Sequence, residues 1–186
     1  MMIKYIIVFF IIILNASTQI LLAQSFEKIH KEWNKQGETV TTFFGISLYR
    51  GTLYTPDTEP FDIEGTYALT LTYLRSFKEK TLIKSTINEI NRIEALTVEN
   101  EKVLIDLLSN CFVDVSSGDR ITALANSRDN ISFFYNGKQQ CNLEMINIRK
   151  SFFSIWLGDN KIGQLKNGES IRVSVPPGEH ILTIGV

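Results

Sequence analysis

His30 and His180 are the only histidines in the sequence, one near each end. A Ser-His-Asp relay needs its imidazole beside a serine and a carboxylate, and a structural or catalytic metal needs several His, Cys or carboxylate donors at short spacing. Neither pattern occurs, so the motifs imply no metal and no cofactor. Cys111 and Cys141 form no CxxC pair. Each stands beside strand and turn residues; a disulfide is open to them in an oxidising compartment, and the expectation is two buried free thiols. Asp62 and Glu64 sit in a loop and read as solvated carboxylates rather than an acid and a base. No glycine-rich run opens a helix to cradle a phosphate. The net charge is −1, and no Lys/Arg stripe appears outside scattered pairs such as Arg149-Lys150. Nucleic-acid binding depends on neutralising many phosphates, so that class of partner is set aside.

The elements that must position any site follow from periodicity. Ser25 to Lys35 places Phe26, Ile29 and Trp33 at helical spacing, a short amphipathic lead-in. Val40 to Tyr49 and Gly51 to Thr55 read as strands, and Pro56 to Pro60 as a loop, since two prolines bar a ladder through it. Tyr67 to Leu74 alternates and is rich in Thr, Tyr and Leu. Glu79 to Leu96 puts Leu82, Ile83, Ile87, Ile90 and Ile93 on one helical stripe. Thr97 is placed to cap a second helix running to Asn110, with Val98, Leu104, Leu107 and Leu108 as its buried face. Strands return from Val113, with a turn at Ser117-Gly118-Asp119, a strand over Ile121 to Ala125 and a loop from Ser127 to Asn130. Ile131 to Tyr135 and Lys138 to Leu143 are joined by Asn136-Gly137, the pair that a type I′ hairpin turn favours because both central positions need positive φ. Leu143 to Leu157 reads as a helix ended by Gly158. The pattern is that of an α+β domain, a mostly antiparallel sheet with helices on one face.

Both ends differ from this middle. Lys4 precedes an unbroken apolar run from Tyr5 to Leu14, then a polar stretch, then Ile20-Leu21-Leu22-Ala23. Ten apolar residues are half of the roughly 20 that cross a bilayer. The expectation is a signal peptide over residues 1–23, cleaved near Ala23, export to a periplasmic or secreted location, and no membrane span in the mature chain. Residues 24–158 form the domain proper, and 159–186 a β-rich tail. That tail has a turn at Asn167-Gly168, strands over Ser170 to Val175 and His180 to Ile184, and a turn at Pro176-Pro177-Gly178. Val186 stops inside the last strand pattern.

Six blocks occur in a fixed order: Phe43-Phe44-Gly45-Ile46-Ser47-Leu48-Tyr49, Leu53-Tyr54-Thr55-Pro56, Leu71-Thr72-Tyr73-Leu74-Arg75, Phe112-Val113-Asp114-Val115 with Gly118-Asp119-Arg120, Phe133-Phe134-Tyr135-Asn136-Gly137, and Phe152-Phe153-Ser154-Ile155-Trp156-Leu157-Gly158. In this order the stretch from Gly37 to Gly158 resembles the bacterial chalcone isomerase-like family, exported relatives of the plant flavonoid enzyme. The resemblance implies an open-faced sandwich with a ligand cleft. It also implies a cyclising site built from an arginine, a threonine, a tyrosine and an asparagine. The arginine position falls near Val40 to Thr42, where no arginine stands; the threonine falls on Phe44 and the tyrosine near Thr81. Only the asparagine finds a match, at Asn88. A lost anion donor of this kind costs a comparable enzyme about 3–4 kcal/mol of transition-state stabilisation. The resemblance therefore implies a binder of a small hydrophobic or amphipathic ligand, of fatty-acid or flavonoid type, that does not turn it over. An isomerase using substituted residues is the alternative, and a cell-envelope interaction module with an unknown protein partner is the second. Four residues are candidates for the cleft. Tyr49 would line it, Arg50 would take a ligand carboxylate, Arg75 would act there or pair with a helix acid, and Asn88 would face either cleft or solvent. Phe43, Phe44, Phe133, Phe134, Phe152 and Phe153 are expected in the core.

Overall fold

The computed structural model describes residues 31–56 and 61–157, and the backbone course of Ser170–Val175 and Gly178–Ile184. The leader, most of the lead-in, the Gly158 helix stop and the Asn167-Gly168 and Pro176-Pro177 turns lie outside the described residues. Strand β1 (Asn34–Phe43) turns into β2 (Ile46–Thr55), then β3 (Tyr67–Tyr73). Helices α1 (Glu79–Ile93) and α2 (Val98–Ser109) follow. The meander resumes with β4 (Arg120–Ser127), β5 (Asn130–Tyr135) and β6 (Lys138–Glu144), and α3 (Ile148–Leu157) comes next. A last hairpin, β7 (Ser170–Val175) and β8 (Gly178–Ile184), lies beyond β1, giving the order β6-β5-β4-β3-β2-β1-β8-β7 with every neighbouring pair antiparallel. The tail strands thus continue the sheet, through Gly37↔Ile184 and Glu38↔Thr183.

The core lies between the sheet and the three helices. On β3, Tyr67, Leu69, Leu71 and Tyr73 alternate toward the helices, where Ile83, Ile87 and Ile90 of α1 and Phe152 and Phe153 of α3 meet them. On the opposite face Ala68 and Thr70 are buried too, and there the hydroxyls of Thr70 and Thr122 bond at 2.8 Å.

Several expectations hold in detail. Asn136 and Gly137 have φ of 48° and 90°, the two positive values that a type I′ turn needs. The Thr97 hydroxyl accepts from the Asn100 amide at 3.2 Å and caps α2. Helix α1 ends three residues early, at Ile93.

Four expectations need correction. The segment read as one strand from Val40 to Tyr49 is a hairpin that turns at Phe44-Gly45, both at positive φ. Phe44 is consequently at the turn tip, 88 % exposed, and outside the core, while Phe43 is half-buried. Val98, expected on the buried face of α2, is exposed because it opens the helix ahead of the turn that docks. The helix expected over Leu143 to Leu157 starts only at Ile148. Leu143 pairs with Ile131 as the end of β6, and Asn147 at φ 59° breaks the chain direction before α3.

Cys111 and Cys141 are the fourth correction: they form a disulfide, with Cα atoms 5.1 Å apart. The Phe112 ring packs edge-on to Phe133 at 5.6 Å, and Phe133 pairs across the sheet with Cys141. That contact carries the preceding residue, Cys111, over Cys141. Closing a loop of this length restricts the unfolded chain enough to stabilise the fold by roughly 3–4 kcal/mol.

Candidate functional site

Between α1, α3 and the sheet lies a cavity of about 130 Å³. Its floor is a row across three strands, because Thr41 pairs with Tyr49 and Tyr49 pairs with Tyr73. A β-bulge shapes it. Thr41 opposes Tyr49 while Thr42 opposes Ser47, so Leu48 is an extra residue on β2. Adjacent residues of a regular strand point to opposite faces. The bulge breaks that rule and lets both Leu48 and Tyr49 line the cavity. Apolar walls come from Leu69, Leu71, Ile121 and Ala123 of the sheet and from Phe152 and Ile155 of α3. The mouth lies along α1, where Thr81 and Ser85 are exposed.

A few polar groups converge inside. The Trp156 indole N–H donates to the Tyr49 hydroxyl at 3.2 Å. Burial pushes the Tyr49 phenol above its usual pKa, outweighing the hydrogen bonds from Thr41 and Trp156 that act the other way, and the Glu89 charge adds to the rise. Tyr73 is buried, and desolvation raises its phenol further, with Tyr49 contributing. The two rings meet edge-on at 6.1 Å. Both phenols therefore stay protonated at ordinary pH and act as neutral hydrogen-bonding groups, not as bases. Glu89 brings a charge: it lines the cavity with its side chain only 6 % exposed, and its Oε2 accepts from Arg92 Nε at 2.9 Å. Arg92 is 44 % exposed on the outer flank of α1 and is not part of the lining. Among the described residues no group of His, Cys, Asp or Glu is placed to hold a metal ion.

The start of α1, which forms one lip of the mouth, is fixed from a distance. Lys78 precedes the helix without a side-chain cap, and Asp114 supplies one instead. Its Oδ1 accepts from the Glu79 amide at 2.9 Å and its Oδ2 pairs with Lys78 Nζ at 2.6 Å. The bond from Lys78, then the Glu79 amide, holds the Asp114 carboxyl below its usual pKa.

The model of the chalcone isomerase-like family matches residues 20–168. The chain belongs to that family. Among solved structures it is similar to the crystal structure of an Arabidopsis thaliana fatty-acid binding protein, at a TM-score of 0.52 and 10 % identity, covering 70 % of this chain and 82 % of that one. At that identity the likeness is one of fold. No curated protein matches the sequence.

Of the four residues expected at a chalcone isomerase-like cleft, the structure brings one to the cavity. Tyr49 lines it. Arg50, the next residue on β2, points to the other face and lies 3.5 Å from Glu38. Arg75 is exposed in the loop after β3 and, among the described residues, forms no ion pair with a helix acid. Asn88 faces solvent, and its neighbour Glu89 faces in. Of the positions that the family resemblance assigns to cyclising residues, the arginine stretch holds Thr41, which is buried on the cavity floor, and Thr81 stands at the mouth. Phe44 is at a hairpin tip, away from the cavity. Glu89 escaped the sequence reading, although Leu82, Thr86 and Glu89 repeat at helical spacing beside the isoleucine stripe.

Proposed function

We propose that this chain is an exported, non-catalytic carrier of a small hydrophobic or amphipathic ligand, held between α1, α3 and the sheet. The observation that carries the reading is the cavity itself, with apolar walls and a few polar groups converging at Thr41, Tyr49 and Glu89. That combination is what small-molecule sites generally have. The structurally similar plant protein is a fatty-acid binding protein, which supports the ligand class. Thr41 in the arginine stretch favours binding over cyclisation: a hydroxyl offers no fixed positive charge to a developing oxyanion. Export is supported by the basic, apolar and small-residue order of the first 23 positions. The Cys111–Cys141 bridge supports it as well, since such bonds persist in oxidising compartments. A volume of about 130 Å³ is below the roughly 300–1,000 Å³ of drug-sized sites, so the cavity takes the head or one ring of a ligand, and the remainder leaves past Thr81 and Ser85.

The test has two arms. Solvent extraction of the purified protein, read by mass spectrometry, is expected to return a hydrophobic small molecule at near-stoichiometric yield. Stripped protein is expected to take up an alkyl or aryl probe in a calorimetric titration. A protein that comes clean and takes up nothing discards the carrier reading. Ring closure of a chalcone well above its spontaneous rate overturns the non-catalytic part alone.

A further inference from the structure

We infer that Glu89 makes this cavity select ligands with a neutral hydroxyl head and reject fatty carboxylates, a deepening that rests on the carrier reading above. The carboxylate projects from α1 into a mostly apolar pocket whose other polar groups are neutral, and it is almost wholly buried. Arg92 occupies Oε2 from the outer side of the helix, and among the described residues Oε1 has no hydrogen-bond partner. A carboxylate oxygen only accepts hydrogen bonds, so the group that completes Oε1 must donate one. An alcohol or phenol does so without adding charge. A fatty carboxylate cannot: it would bring a second anion beside Glu89 in a poorly screened place, and like charges at such distance repel strongly.

The remaining polar lining agrees with an alcohol. Tyr49, Tyr73, Thr41 and Thr86 are neutral hydroxyls, and among the described lining residues none is Lys, Arg or His. A hydroxyl head donates to Glu89 and accepts from one of these neighbours. Thr81, Ser85 and Glu89 follow one another at four-residue spacing along α1, so the path from the mouth to the carboxylate runs down one helix face. A chain entering past Thr81 reaches Glu89 with its head.

Dodecan-1-ol and dodecanoate share a tail and differ in this head, and their affinities for the full, oxidised protein at pH 7 are compared by displacement of a polarity-sensitive fluorophore. The expected result is that the alcohol binds at least about tenfold tighter. In Glu89→Gln, whose amide also accepts but carries no charge, the two are expected to come within about threefold, mainly by a gain for dodecanoate. Equal or tighter binding of dodecanoate to the wild type overturns the inference and leaves the carrier reading standing. Binding of neither overturns both. The wild-type ratio stands by itself if the variant does not fold, which circular dichroism reports.

Discussion

One face of one sheet carries two unlike ends. At the start of β3, Tyr67 is fully buried against Phe61 and Phe153, with ring centroids 5.1 and 4.8 Å apart, and the space is filled. At the finish of β3, Tyr73 borders a cavity. Both ends are aromatic and both are covered by helix, so hydrophobicity does not separate them. Side-chain size and strand regularity do. The filled end stacks rings in edge-to-face contact. The hollow end has Ala123 and a bulge at Leu48, which leave room that no side chain enters. Charge is treated differently as well. At the filled end, buried Arg149 on α3 reaches outward to the Glu64 carboxylate and the Gly65 carbonyl. At the hollow end, Glu89 faces inward.

The largest effect should come from emptying the filled end. Phe153→Ala removes a ring with no exposed surface from between Tyr67 and Phe152. Such truncations cost about 3–5 kcal/mol. Chemical denaturation should show that loss, while ligand affinity in the surviving fold changes little. A loss under about 1 kcal/mol would mean that the two ends are packed alike.

Filling the hollow end should do the opposite. Ala123→Leu places a larger side chain into existing space, so stability should move by less than about 1.5 kcal/mol in either direction. Ligand uptake should disappear in the same calorimetric titration that detects it in the wild type. Full retention of uptake would place the ligand elsewhere.

How much of this contrast was legible in the sequence follows from the range of the interactions. The helix pair, the Thr97 cap and the Asn136-Gly137 turn are local, set by residues within a few positions of one another, and they stand where periodicity puts them. The Phe44-Gly45 turn was concealed because a phenylalanine at positive φ is rare and the flanking apolar pattern runs straight through it. The strand end at Leu143 was mistaken for helix because apolar residues continue into α3, and only pairing with Ile131 separates the two. The disulfide depends on the segment just after α2 meeting β6, a contact between residues 30 positions apart that spacing does not encode. The site was half legible. Tyr49 belongs to a recognisable block, whereas Glu89 looks like any charged residue on a helix until α3 closes over it.

The buried hydroxyls sharpen the comparison at smaller scale. The Tyr67 hydroxyl is buried without a hydrogen-bond partner among the described residues, and burial raises its pKa. An unsatisfied buried polar group costs about 1–3 kcal/mol, so Tyr67→Phe should stabilise the protein by about 1 kcal/mol or leave it unchanged. Tyr73→Phe should instead weaken binding of a hydroxyl-headed ligand with little change in stability. A clear loss of stability in Tyr67→Phe would reveal a polar partner at the filled end.

The smallest effect concerns the lip of the cavity and depends on pH. Asp114 is exposed, and its carboxyl is held below the usual value of 3.8 chiefly by Lys78 and then by the Glu79 amide. A depressed carboxylate contributes stability above the unfolded value and loses it as pH falls through the folded one. The first turn of α1 should therefore be tied down at neutral pH and released below pH 3.8, with the amide of Glu79 losing its acceptor. Asp114→Asn removes the Lys78 ion pair at every pH and weakens the cap. Hydrogen exchange should then quicken at residues 79–82 at pH 7, while amides around Tyr67 keep wild-type protection. Equal acceleration at both ends would mean that the lip and the filled core open as one unit, and the hollow end would have no separate mobility with which to admit a ligand.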